Sequence, residues 1–162
     1  MEPEDLEFLY QIENNQALWG VSASNVPYSH YLLNDFILNS TGDIYTDKQV
    51  RMVVEDEQHH AIGLADLTEF SPKHRRAELG LVISQEYRHK GYGVAALSAI
   101  IDYARQSLQL HQIYAFVPVA NSASLAMFRQ LAIEPTAILP DWLCDGQRYH
   151  DAAFIQVVLD KA

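Results

Sequence analysis

Glu78-Leu79-Gly80-Leu81-Val82-Ile83-Ser84-Gln85-Glu86-Tyr87-Arg88-His89-Lys90-Gly91-Tyr92-Gly93-Val94-Ala95-Ala96-Leu97 is the stretch that decides the fold. Ala77–Ser84, rich in Leu, Val and Ile, reads as a strand. Gly91–Leu108 reads as the clearest helix of the chain, with Val94, Leu97, Ile101, Ala104 and Leu108 on one stripe. Between them a basic loop with two glycines, Arg88 to Gly93, turns strand into helix. Such a loop presents several backbone N–H groups in one direction, and the helix N-terminus adds partial positive charge. Gly91 and Gly93 let the backbone approach an anion without a clashing Cβ. Arg88, His89 and Lys90 form a cationic cluster in a chain of net charge −10. The ligand this predicts is a pyrophosphate; the alternative is a tight strand-to-helix turn with no ligand. The loop is not a P-loop, since G-x-x-x-x-G-K-[ST] is absent, and Ala96 stands where a dinucleotide motif needs its third glycine.

Outward from this centre, residues 3–15 read as a helix with Pro3 at a first helical position and Leu6, Leu9, Tyr10 and Glu13 on one face. A second helix is expected over 27–38, with Tyr28, Tyr31, Leu32, Asp35 and Phe36 at helical spacing; the Tyr28/Tyr31/Phe36 stripe reads as packing or as a wall of a substrate cleft. Gly20 to Asn25 looks like a flexible connection. Gln49–Glu55 and Ala61–Phe70 read as strands around the turn Asp56–His60, and His111–Val117 as another, closed by Pro118. Asn121–Leu131 is a short helix with Asn121 as its cap. Ala137–Leu143 and Tyr149–Leu159 form a hairpin around Asp145-Gly146. The order predicts a mixed α/β domain around a central sheet.

Composition narrows the function. The 162 residues are 49% hydrophobic and 20% charged, as in an ordinary globular domain. The acidity argues against nucleic-acid backbone as a ligand and suits cationic small molecules or basic peptides. No apolar run is long enough to span a bilayer, and the acidic N-terminus lacks a signal core. With a single cysteine, Cys144, these features point to the cytoplasm. Cys144 beside a hairpin turn reads as a buried or incidental thiol. No pair among the seven histidines has metal-site spacing, and His59 and His60 are expected to point apart; no metal is expected.

Arg88, Gly91 and Gly93 spell [RQ]-x-x-G-x-[GA], which resembles the pyrophosphate motif of the GNAT superfamily of acetyltransferases. The resemblance covers about residues 3–159. His74-Arg75-Arg76-Ala77-Glu78 and Asp145-Gly146-Gln147-Arg148-Tyr149 are similar in particular to bacterial spermidine N-acetyltransferases and ribosomal-protein N-terminal acetyltransferases. It implies a single acetyltransferase domain over 1–162, with a mostly antiparallel central sheet, a splayed strand pair and flanking helices. Acetyl-CoA would lie between the splayed strands and no metal would be needed. The backbone of Leu81, Val82 and Ile83 would hold the pantetheine arm. Arg88, His89, Lys90, Gly91, Tyr92, Gly93 and Val94 would hold the pyrophosphate, Asn121 would contact the pantetheine or acetyl end, and Phe128 would also lie against the cofactor. Glu78 is the implied base, the alternative being a structural glutamate paired with Arg75 or Arg76. Ser124, one turn before Phe128, matches a serine proposed as general acid in the ribosomal-protein group. The alternative there is a helix-face serine bonded to a backbone carbonyl.

The chain departs from the family pattern in three places. The first strand usual in the family is expected to be absent or trimmed, leaving Gln49–Glu55 as a sheet edge open to pairing in a homodimer or larger assembly. Ala132 stands where a glycine ends the last helix, which predicts a left-handed alanine at about 1 kcal/mol. Phe128 replaces the tyrosine that would protonate the leaving thiolate. Acetylation of a primary amine, with polyamines preferred, is the expected function. A silent acyl-CoA-binding or regulatory module, an N-terminal acetyltransferase of a basic protein and a generic phosphate-binding domain are the alternatives.

Overall fold

The computed structural model describes residues 1–21 and 26–160. A 3-10 turn, Pro3–Asp5, leads into α1 (Leu6–Glu13), and a second, Gln16–Val21, precedes α2 (His30–Asn39) and the short α3 (Ile44–Asp47). Strands β1 (Val50–Glu55), β2 (Ala61–Ser71) and β3 (Arg76–Ile83) follow, then α4 (Tyr92–Gln106), β4 (Gln112–Pro118), α5 (Ser122–Gln130), β5 (Ala137–Cys144) and β6 (Tyr149–Val158). All six strands form one sheet, ordered β1-β2-β3-β4-β6-β5. Every neighbouring pair is antiparallel except β3 and β4, which are parallel. Of the stretch Gly20 to Asn25, residues 22–25 lie outside the described residues. No described helix is long and apolar enough to cross a membrane.

Strand alternation sorts the apolar side chains into two layers. On one face Ala65, Leu67, Ala77, Leu79, Ile113, Ala115, Ala153 and Ile155 pack against Leu97, Ile100 and Ala104 of α4 and Leu125 and Phe128 of α5. On the other, Leu64 packs with Leu9 of α1 and Leu33 and Ile37 of α2. The expected α4 stripe faces this core: Leu97 and Ala104 are buried in it and Ile101 and Leu108 pack against it, Leu108 from just beyond the helix end; Val94 in the first turn lies outside it, and Ala96 and Ile100 are buried as well.

The second helix differs from its expected face. It starts at His30 because the Ser29 hydroxyl accepts from the Leu32 N–H, a cap that the Pro27-Tyr28 start cannot supply. Leu33 and Ile37 are then buried and Tyr31 is exposed. Tyr28 and Phe36 pack against the second core, as a packing reading requires, but Tyr31 does not. Ala132 ends the last helix at φ 57°, the strained left-handed residue expected from its sequence. Cys144 is exposed, so the buried-thiol reading fails: β5 is the far edge strand and most of its residues are exposed.

One polar device fastens the second helical layer to the sheet. Arg51 of β1 donates from Nε and Nη2 to the two carboxylate oxygens of Asp66 on β2, both at 2.9 Å, and from Nη1 to Glu13 of α1 at 2.6 Å. Its guanidinium also lies over the Phe36 ring of α2, 5.7 Å from the centroid. Burial pushes the Asp66 carboxyl up despite the Arg51 charge. Arg51→Met leaves two carboxylates without their cation, and the expected cost is about 3 kcal/mol in urea denaturation. That deficit should narrow as pH is lowered, because Asp66 then takes a proton and its unpaired charge vanishes. A full-sized deficit that does not change with pH contradicts the assignment.

Candidate active site

The site begins where β3 and β4 part. Their parallel pairing holds for Arg76/Gln112, Ala77/Ile113 and Glu78/Tyr114 and then stops. Ser84 N–H donates to the Ile62 carbonyl of β2, which fixes the phase of that ladder. Val82 and Gly80 are thus turned toward β2, and the N–H and C=O groups of Leu81 and Ile83 point into the widening gap. The Ile83 carbonyl is taken by the Arg88 guanidinium, with Nε donating at 2.9 Å. Across the gap, Leu159 N–H to His111 and Val119 N–H to Asp151 set the β4–β6 ladder, so the Phe116 backbone groups face β3. Buried backbone groups need partners, and those of Leu81 and Phe116 have no strand opposite them. The gap fits an extended arm that carries amide groups.

The loop after β3 ends this gap. Gly91 caps α4 at φ 88°, and no side chain caps the helix. The N–H groups of the first turn, Tyr92, Gly93 and Val94, therefore lack side-chain partners. A Cβ at Gly91 would meet nothing within 4 Å, so the space in front of the loop is open. Gly93 has a different role from the expected anion approach: a Cβ there would sit 2.9 Å from the Met127 sulfur, so this glycine lets α5 close against α4. His89 is left-handed at φ 61°, and the Lys90 ammonium lies over the Tyr87 ring at 5.4 Å. Tyr87 meets Tyr92 edge-on at 6.1 Å.

Glu78 stands at the last paired position of β3, beside Tyr114 of β4. It is half-buried, and burial, reinforced by the charge of Glu69, raises its carboxyl above the ordinary glutamate range. It makes no ion pair with Arg75, which bonds Asp160 and Gln109 instead, nor with Arg76. Burial and then the Glu78 charge push the Tyr114 phenol up. On the α5 side, Asn121 is the expected cap: its Oδ1 accepts from Ser124 N–H at 3.1 Å. Ser124 is half-buried, and its hydroxyl makes no hydrogen bond to another described residue. Phe128, 4% exposed, belongs to the main core and offers no proton.

Glu69, Tyr114, Phe116 and Met127 are site residues that the sequence reading missed. Glu69 reaches Glu78 because β2 changes register between Thr68 and Ser71, with Glu69 left-handed at φ 51°. The only trace of this in the sequence is a charged residue near the end of an apolar strand. No group of three or more His, Cys, Asp or Glu among the described residues is placed to hold a metal. His59 pairs with Glu55 and His60 with Asp56.

Parting strands over unpartnered backbone groups, a basic loop and an uncapped helix define an α/β domain whose cleft suits a phosphorylated, amide-bearing arm beside a carboxylate, the layout of an acyltransferase. Residues 1–133 match the acetyltransferase (GNAT) domain family, and the chain belongs to it. Among its relatives, the spermidine N(1)-acetyltransferase of Vibrio cholerae serotype O1 is 28% identical over 162 residues, 99% of this chain and 91% of that protein. The Escherichia coli K12 protein of the same name is 30% identical over 149 residues, 91% of this chain and 77% of its own. The crystal structure of the V. cholerae spermidine N-acetyltransferase in complex with CoA and spermine matches with a TM-score of 0.87 at 26% identity, over 99% of this chain and 94% of that one.

Gly91→Glu places a carboxylate in the open space before the uncapped helix. The variant should stay folded, at a strain cost of about 1–2 kcal/mol for a left-handed side chain. It should lose at least ~100-fold in acetyl-CoA affinity by calorimetry, about 2.7 kcal/mol. Unchanged affinity in the folded variant means the loop does not hold the phosphates.

Proposed function

We propose that residues 1–162 act as a single cytoplasmic domain that transfers an acetyl group from acetyl-CoA to a primary amine of a polyamine. The observation that carries this is the half-buried Glu78 at the apex of the parting strands. Leu81, through its N–H and C=O, and Ile83, through its N–H, hold the pantetheine amides, and Val82 contributes its side chain, its backbone being turned to β2. Arg88, His89, Lys90, Gly91, Tyr92, Gly93 and Val94 hold the pyrophosphate. Asn121 and Phe128 border the acetyl end, Phe128 as an apolar wall.

Acetyl-CoA supplies an activated acyl group and a thiolate leaving group. Glu78, with its raised carboxyl, takes the proton from the attacking ammonium. Ser124, whose hydroxyl has no other described partner, faces the departing sulfur in the role that Phe128 cannot fill. The acidic surface draws cations toward the site, and the relatives named for spermidine support a polyamine acceptor. No metal enters the scheme. The free outer edge of β1 supports assembly into a homodimer or larger oligomer. Phe128 favours a second reading, a catalytically silent acyl-CoA-binding module.

A free-thiol assay with acetyl-CoA and spermidine, spermine or basic peptides tests the proposal. Ser124→Ala is expected to lower kcat by about tenfold, below the ~10²–10⁴ range of full acid–base catalysis because a thiolate leaves readily, with acetyl-CoA affinity unchanged. Phe128→Tyr should leave activity equal or raise it. No amine acetylated by the parent, with activity created by Phe128→Tyr, selects the silent module.

The pH profile tests Glu78 separately. The base form gains with pH, so kcat/KM should rise along a limb whose inflection lies above the ordinary glutamate value. Glu78→Gln should remove that limb. A carboxyl raised in the folded state contributes stability that is full below its unfolded pKa and is lost as pH rises through the folded pKa. Glu78→Gln is therefore expected to be at least as stable as the parent at neutral pH. A variant with full activity, or one merely unfolded, contradicts the role.

A further inference from the structure

The face that carries Glu78 also carries a cup, with Arg76 in its lining, that the acetyl-transfer scheme leaves unused. α1 and α2 cover the β1–β2 half of this face, and the β4–β6 half remains open. There a cup of about 270 Å³ is lined by Arg76, Gln112, Tyr114, Phe154 and Gln156. The register makes it a grid. Arg76 lies beside Gln112 and Glu78 beside Tyr114, and the next strand sets Gln156 against Tyr114. Tyr114 and Phe154, with ring centroids 6.0 Å apart, form an aromatic floor that continues into Phe116 and Trp142, which stack at 5.4 Å.

Arg76 brings an uncommitted charge. Arg51, Arg75, Arg105 and Arg129 each form an ion pair, whereas the exposed Arg76 side chain, like that of Arg148, has no hydrogen bond or ion pair among the described residues. Its charge is still felt in the cup, where it acts on the Tyr114 phenol against Glu78 and Glu69. Gln156 donates to the Gln112 carbonyl oxygen at 2.6 Å, which leaves the Gln112 amide NH2 as a donor beside Arg76. A guanidinium with an amide donor at its side is a carboxylate-binding pair.

Arg76 and Glu78 project from the same face of β3, two residues and roughly 7 Å apart along the strand. One carries positive charge and the other negative. A polyamine, cationic at both ends, matches only one of them. A molecule with an amine at one end and a carboxylate at the other matches both.

We infer that Arg76 and Gln112 form a carboxylate subsite next to Glu78, so that the domain also acetylates amines that bear a carboxylate, of the amino-acid class. The inference rests on the reading of Glu78 as the acceptor end of the site. In the step itself the amine nitrogen bonds to the acetyl carbon as the carbon–sulfur bond breaks. Glu78 takes the first proton, from the ammonium; the second leaves nitrogen as the amide forms and replaces, through water, the one that Ser124 gives the thiolate, so that coenzyme A thiol and one proton for solvent are released.

The test is steady-state kinetics with acetyl-CoA and three acids, β-alanine, 4-aminobutyrate and L-leucine, each against its own carboxamide, with spermidine in parallel. At least one acid should be acetylated, with kcat/KM at least about tenfold above its amide, as expected for a hydrogen-bonded charge. Arg76→Gln should abolish that preference, Arg76→Lys should keep part of it, and spermidine should gain about two- to threefold in kcat/KM when the repelling charge goes. A readout that needs no turnover is calorimetry with N-acetyl-4-aminobutyrate, which should bind the parent and bind Arg76→Gln at least about tenfold more weakly. Failure of every acid to react overturns the inference whatever spermidine does. So does an acid–amide preference, or an N-acetyl-4-aminobutyrate affinity, that survives Arg76→Gln. Acids acetylated with spermidine inert support the inference and retire the polyamine reading alone.

Discussion

The structure depends on one unmet requirement of the backbone. A sheet satisfies its strands by pairing them, yet β3 and β4 stop pairing after Glu78 and Tyr114 while both strands continue. Each remains paired on its outer side, β3 with β2 and β4 with β6, so the gap is stiff. What faces the gap is set by ladder phase alone: Leu81 and Ile83 from one side, Phe116 from the other. Arg88 borders the wide end by bonding the Ile83 carbonyl, which ties the basic loop to the strand that feeds it. The loop then hands over to an uncapped helix whose first N–H groups have no side chain to satisfy them. Unpaired strand backbone groups and uncapped helix N–H groups thus lie in sequence along one path.

The two sides of the sheet have separate tasks. The α4/α5 side is closely packed: Gly93 admits Met127, and Phe128 is buried among aliphatic side chains. Exchanging a tyrosine for this phenylalanine removes a donor while keeping the ring's volume in the core. The opposite side is polar at the apex and half open. Arg51, held by Asp66 and Glu13, keeps α1 against the sheet, and the aromatic row Tyr114, Phe116, Phe154 and Trp142 floors the remainder. Glu78 lies at the boundary between the two halves of this face.

Local chemistry was legible in the sequence, and juxtaposition was not. The strand-to-helix turn at Arg88–Gly93, the Asn121 cap, the left-handed Ala132 and the hairpin at Asp145 each follow from one or a few residues, and each stands where the residues imply. In α2 spacing alone does not reveal the face: the Ser29 cap sets the start of the helix, and with it the buried side. The phase of the β2–β3 ladder, which turns Val82 away from the gap, needs a partner strand to define it. The same is true of Glu69, brought near Glu78 by a register shift in β2, and of Tyr114, placed beside Glu78 by a parallel pairing between segments separated by α4. The resemblance placed Glu78 near the reacting end; the structure supplied its half-burial and its freedom from Arg75 and Arg76.

The central claim is that backbone groups left unpaired by the parting of β3 and β4 receive the cofactor. Residue-resolved amide hydrogen exchange, with and without coenzyme A, tests it most directly. The account predicts that the Leu81 amide exchanges quickly in the free protein and slows strongly on binding, while the Val82 amide, already paired with β2, is slow in both states. Equal protection of Leu81 with and without coenzyme A, at concentrations that saturate the protein, would contradict it.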